Sequence, residues 1–314
     1  MTEEGWAGER LYSSMKVTSS FPAVTALPAA AQAPGACADA WQGLPAIRLR
    51  LACGDAALVA LQGAQLLSWQ AGGEEQLFLS PHAAHDGHTP IRGGIPVCFP
   101  QFNQRGPLVK HGFARTLPWQ ADAAQAEVLA GDGLFLRLRL ADTPQMRAVW
   151  PHSFETWLEV TLLPGRLDVE LVVHNRGDTP LAFTAALHSY LRVADVEQCR
   201  LQGLDGLPYW DAVADTHPTQ HGDVRFGEEL DRVYPRPGNA MELAALGGGL
   251  RISQDAAWSE TVVWNPGPAL CERLPDMPPQ GWRQMLCVEA AAIDAPVHVA
   301  PGAQWRAAQR LHKL

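Results

Sequence analysis

The segment TWLEVTLLPGRLDVELVVHN, residues 156–175, narrows the fold more than any other part of this chain. Leu158, Val160 and Leu162 alternate with Glu159 and Thr161; beyond Pro164-Gly165, Leu167, Val169 and Leu171 alternate with Asp168 and Glu170. Side chains that repeat every second residue share one face of a strand, so this text predicts a β-hairpin with one buried and one wet face. Pro and Gly are the residues a tight turn asks for at its two corners. Short apolar runs of the same kind recur in IRLRLACG (47–54), AALVALQGAQLLSWQ (56–70), LFLRLRLAD (134–142) and LAFTAALHSYLRVAD (181–195). AGDG, PGR, NRGD and GGG supply turn signals between strands. No stretch holds a 3.6-residue period for long. The chain therefore reads as all-β, a large antiparallel β-sandwich forming one domain over residues 44–314.

Residues 1–43 lack this pattern and are rich in Ala, Pro and Ser, as expected of a flexible N-terminal extension. From Met15 the text MKVTSSFPAVTALPAAAQA has signal-peptide features, but prolines interrupt it and the acidic MTEEGWAGE precedes it. No run of about 18 apolar residues is present, so no membrane span is expected. Two long stretches, 203–240 and 265–282, look irregular and carry aromatic residues, which favours a functional role.

A net charge of −9 argues against nucleic acid as a partner, because neutralising a phosphate backbone needs a broad basic surface. The six cysteines form no C-x-x-C pair and several sit in apolar text, so they read as buried reduced thiols of a cytoplasmic protein. Gly-rich nucleotide motifs and the G-x-S-x-G elbow are missing. His82, His85 and His88 in PHAAHDGHTP fit no standard metal-ligand spacing and read as a solvated turn.

Against that acidic background, RGGIPVCFPQFNQRGPLVKHGFAR (92–115) stands apart, since no Asp or Glu occurs from Gly87 to Ala121. Arg92, Arg105, Lys110, His111 and Arg115 load it with basic side chains, and its prolines and glycines make it stiff and irregular. Arginine forks suit a small anion; the alternative is that these cations pair with surface acids. In the strand text 181–195, Thr184, Ala186, His188, Tyr190 and Arg192 share the more polar face, so His188 is either an acid–base group or a bonded core histidine. In GWRQMLCVEAAAI, read as a strand from Arg283, Glu289 lies in an apolar run. It is either a base with a raised pKa or half of an ion pair with an arginine.

Taken together, RGGIPVCFP, HGFAR followed by Trp119, ALHSYLRV, DRVY (231–234), VVWNPG (262–267) and QMLCVEA resemble, in this order, the hexose-6-phosphate mutarotases, or glucose-6-phosphate 1-epimerases. The resemblance runs from about residue 45 to the C-terminus. It implies a galactose-mutarotase-like sandwich with an open cleft, interconverting the anomers of an aldohexose 6-phosphate without metal or organic cofactor. By motif position it makes His188 the general acid and Glu289 the general base; hemiacetal opening is served by such a pair on opposite sides of the sugar. It gives Arg92 and Arg115 the phosphate, His111 the reacting end of the sugar and Asp231 a hydroxyl. Lys110 stands where this family often has Gln, and is expected to meet the phosphate. FPQFNQRGP departs from the family's FPWFG-like text, so the rim is expected to differ. A monomer acting on a small hexose phosphate is the expected form. The alternatives are an aldose 1-epimerase for unphosphorylated sugars and a non-catalytic sugar-phosphate binding protein on the same fold.

Overall fold

The computed structural model describes residues 34–121, 127–129, 132–245 and 248–314. Among them the strands form three antiparallel sheets. The first is a meander of five strands, Gly35–Trp41, Leu44–Arg50, Ala56–Ala60, Leu66–Ala71 and Glu74–Glu75. The second has nine strands and holds the hairpin of 156–175 at its centre, where Phe154–Leu163 pairs with Arg166–Asn175 in register Leu163↔Arg166. Gly165 turns the corner at φ +68°. The third has seven strands, with Met285–Val299 in the middle, Glu260–Asn265 and Leu230–Pro235 on one side, and Leu181–Leu187 and Val97–Cys98 on the other.

The two large sheets differ in how they meet water. On the hairpin, Leu158, Val160, Leu162, Leu167, Val169 and Leu171 are buried, while Glu159 and Glu170 face outward and pair with arginines of neighbouring strands, and Asp168 pairs with Arg166 of its own strand. That is the one-sided alternation expected of an antiparallel sheet. In Met285–Val299 every residue from Met285 to Ile293 is buried. Leu286, Val288, Ala290 and Ala292 join the main core, which all three sheets share. Ala291 and Ile293 point the other way into a second apolar cluster with Cys98, Phe102, Ala186, Val233 and Val262. This face of the seven-stranded sheet therefore carries an apolar cluster, and the candidate site lies beside it.

Several sequence expectations change here. Gly35–Trp41 is an edge strand paired to Leu44–Arg50, so the domain starts before residue 44; residues 1–33 of the expected extension lie outside the described residues. The run 56–70 is two strands around a turn at Gln62–Gln65, whose buried amide side chains reach across to another segment. The run 181–195 breaks at His188, because the His188 and Tyr190 backbone N–H groups donate to Pro96 and Gly94. The stretch 203–240 contains the strand Leu230–Pro235. Gly281–Gln284 is a helical turn, so Arg283 leaves the sheet and pairs with Asp195 and Glu197. Four cysteines are buried, but Cys37 is half-buried and Cys53 exposed. Among the described residues no helix is long and apolar enough to cross a membrane.

Candidate active site

Strand register brings the site together. Tyr190 and Trp264 flank Cys287, and Asp231 lies next to Trp264, which makes one row across the sheet. One step along, Val233 pairs with Val262 and Val262 with Glu289, and His188 completes this row beyond Glu289. The period of two then puts His188, Tyr190, Cys287, Glu289, Trp264 and Asp231 on one face.

His188 and Glu289 are in contact, with Nε2 at 3.3 Å from Oε1. Glu289 is 1% exposed and His188 8%. Glu289 Oε2 and His188 Nδ1 are buried without a hydrogen-bond partner among the described residues. Burial, with Asp231 adding repulsion, holds the Glu289 carboxyl well above the usual carboxylate range. Burial, with Arg92, Arg115 and Lys110 adding repulsion, holds His188 well below the usual imidazole range. Both effects favour neutral groups, so the resting pair holds one proton between two heteroatoms.

The imidazole is fixed by rings. Tyr190 stacks on it with centroids 4.8 Å apart and planes 10° apart, and Trp264 meets it edge-on at 6.0 Å. His111 approaches from the third side at 5.4 Å. Asn103 N–H donates to His111 Nδ1 at 3.2 Å and Cys98 Sγ lies 3.2 Å from the same nitrogen. An accepting Nδ1 puts the proton on Nε2, so His111 is a neutral donor. Burial first, then His188 and the nearby cations, keep it neutral.

The cations come from the carboxylate-free window. Gly93 and Gly94 sit at φ +112° and +64°, where a Cβ would lie 2.4 Å from the Phe78 carbonyl and 2.0 Å from that of Leu66. Gln65 Nε2 donates to Ile91 and Gly93 carbonyls at 3.0 and 2.6 Å. So anchored, Arg92 donates from Nε to Asp276 at 3.0 Å and from Nη1 to the Tyr190 hydroxyl at 2.9 Å. These bonds use two of its five N–H groups. Arg115, in a helical turn at Ala114–Thr116, donates to the Lys110 carbonyl at 2.8 Å. Asp231 is half-buried, and burial raises its carboxyl to about 6, with Lys110 opposing. On the rim, Arg105 lies over the Trp210 ring at 4.6 Å and pairs with Asp294 at 3.6 Å.

His82, His85 and His88 do not converge. They meet the Met277 carbonyl, Trp41 and Asp86 respectively. Among the described residues, the donors of His188, Cys287 and Glu289 do converge, within 4.8 Å of one another. This group is a poor cation site, because three positive side chains act on His188 and burial holds the Cys287 thiol protonated.

The structure thus brings His188, Glu289, His111, Arg92, Lys110, Arg115 and Asp231 to one region. It differs from the sequence reading in one geometric point. His188 and Glu289 stand side by side on one sheet face, where they had been expected on opposite sides of a substrate. Among the described residues Glu289 pairs with histidine and with no arginine. Sequence reasoning missed Asp276 and the role of Tyr190. Tyr190 had a signal, since it shares the face of His188 two residues on. Asp276 had only a coarse one: it lies in the irregular stretch 265–282, but nothing local tied it to Arg92, 184 residues away.

Residues 45–312 match the family model described as aldose 1-epimerase. A protein of Cenchrus ciliaris, provisionally named a glucose-6-phosphate 1-epimerase, is 34% identical over 273 residues, 84% of this chain and 83% of its own. One of Escherichia coli with the same provisional name is 36% identical over 74% of this chain and 78% of its own. The crystal structure of a provisionally assigned mutarotase from Salmonella typhimurium superposes with a TM-score of 0.81 at 32% identity, covering 90% of this chain and 94% of that one.

Proposed function

Because the chain belongs to the aldose 1-epimerase family, we propose that it interconverts the α and β anomers of an aldohexose 6-phosphate, with glucose 6-phosphate foremost. The protein is a sugar epimerase; the phosphate and the residue roles are the finer part of the proposal. One observation carries it. The buried His188–Glu289 contact lies beside Arg92, Arg115 and Lys110, all three of which act electrostatically on His188. The names of the Cenchrus and Escherichia relatives support the same substrate.

A hemiacetal opens when the C1 hydroxyl loses its proton and the ring oxygen gains one. Both oxygens sit on C1, so an acid and a base standing side by side can reach them from one sheet face. Glu289 takes the hydroxyl proton and His188 gives its proton to the ring oxygen as the ring C–O bond breaks. The aldehyde turns about C1–C2, the ring oxygen adds to its other face, and the two protons return. General acid–base catalysis of this kind contributes about 10²–10⁴-fold. Neutral His111 can donate to the sugar, Asp231 can accept from a hydroxyl, and Arg92, Arg115 and Lys110 hold the 6-phosphate. Anchoring that end converts binding into orientation at C1.

Exchange NMR on glucose 6-phosphate tests the proposal. Cross-peaks between the two anomers should grow far faster with folded protein than in buffer; no acceleration overturns it. The engagement of Arg92 by Asp276 and Tyr190 favours a second reading, an epimerase of free aldoses. Equal rates on glucose and glucose 6-phosphate would select that one.

A further inference from the structure

We infer that an anion seated on Arg92, Arg115 and Lys110 switches on the His188–Glu289 pair, so that inorganic phosphate activates this enzyme toward an unphosphorylated aldose. The inference rests on the phosphate position proposed above, and it gives the phosphate a second job besides anchoring.

The resting pair has its proton in the wrong place. Ring opening needs an imidazolium at His188 and a bare carboxylate at Glu289, yet burial favours the neutral form of each. Arg92 adds to this through a short physical path. Its Nη1 donates to Tyr190 Oη at 2.9 Å, and the Tyr190 ring lies parallel to the imidazole at 4.8 Å. One ring therefore separates a fixed positive charge from His188. Arg115 is tied to the Lys110 backbone at 2.8 Å, which holds the second and third cations together. All three oppose a positive His188, and the stack through Tyr190 sets Arg92 on the His188 side of the pair.

A dianion on these cations cancels their effect where it is largest. The proton then passes from Glu289 Oε1 to His188 Nε2 across the 3.3 Å contact, breaking one O–H bond and forming one N–H bond with no proton taken from solvent. Among the described residues no other ring or acid beside His188 supplies it. His111 is neutral with Nδ1 occupied as an acceptor, and Cys287 and Tyr190 are held protonated by burial. With a phosphorylated sugar, the anion arrives attached to the substrate. Cut into two pieces, sugar and anion should still cooperate, because the coupling runs through the protein.

The test is exchange NMR on free glucose with increasing inorganic phosphate at constant ionic strength. The rate that phosphate produces without enzyme is subtracted. The enzyme-dependent rate should rise saturably on the order of tenfold, equivalent to ~1.4 kcal/mol off the barrier. Arg115→Ala should lose the saturable rise. A flat response, or an equal rise in Arg115→Ala, overturns the inference. Glucose 6-phosphate run with the same protein separates the two levels. Acceleration of glucose 6-phosphate with a flat glucose response sinks this inference alone. No acceleration of glucose 6-phosphate sinks the proposed function, and this inference with it.

Discussion

Replacing Glu289 by Gln should cost activity and raise stability in one step. Gln keeps the shape and one acceptor oxygen but cannot take a proton, so anomer exchange should fall by about 10²–10⁴-fold. The stability argument comes from burial. Glu289 is 1% exposed, and its carboxyl is held well above the usual range by desolvation and by Asp231. A folded state that keeps a proton the unfolded chain has released loses stability as pH rises from the unfolded value toward the folded one. Each unit of that interval costs ~1.4 kcal/mol, and only the span from about 4.3 up to the working pH counts, so the ceiling at pH 7 is roughly 4 kcal/mol. The contact with His188 offsets part of this, which leaves about 1–3 kcal/mol for Gln to recover. In a domain of this size that is a rise of roughly 2–6 °C in melting temperature. The sign can be checked by pH. Near pH 4 both proteins carry a neutral side chain at 289 and should melt together; the gap should open toward pH 7. His188, buried neutral, gives a slope of opposite sign that both proteins share. Calorimetric scans from pH 4 to 8 read the difference directly. A wild type more stable than Glu289→Gln at pH 7 would show an ionised Glu289 held by a charged His188, and the argument would fail. Full activity in Glu289→Gln would remove the base assignment.

His188→Gln should lower exchange by about 10²–10⁴-fold with a small change in KM, as NMR rates against substrate concentration would show. Arg115→Ala should chiefly raise KM for glucose 6-phosphate, by roughly 10- to 100-fold if it loses a charged hydrogen bond worth about 1.5–3 kcal/mol; a pure kcat effect would count against phosphate binding. Asp231 has a carboxyl raised to about 6, so kcat/KM should drop as pH falls through that value, and Asp231→Asn should lose this limb of the profile. Gly94→Ala places a Cβ 2.0 Å from the Leu66 carbonyl at φ +64° and should destabilise by about 3 kcal/mol or more in urea titrations.

The hairpin at 156–175 was legible because its two faces meet different surroundings, so apolar and charged residues alternate in the text itself. The central strand was harder. Met285–Ile293 is buried on both faces, the alternation vanishes, and the start of the strand was misplaced by taking in Arg283. Gly35–Trp41 escaped because an edge strand made mostly of small residues has little apolar alternation, although seven residues pair in register. The bend at His188 also lay beyond local reading, since the bonds that break the strand come from Gly94 and Pro96.

By itself the sequence determined which chemical groups are available and which face of a strand carries them. A period of two is a local property, and it placed His188 with Tyr190 and Glu289 with Cys287 without any knowledge of neighbours. Only the tertiary structure decided who meets whom. It set His188 against Glu289 at 3.3 Å, tied Arg92 to Asp276 across 184 positions, and stacked Tyr190 between Arg92 and the imidazole. Those contacts depend on strand register and on loops that return from far along the chain. The protonation of the pair depends in turn on how much water the assembled face excludes, and no local pattern of residues encodes that.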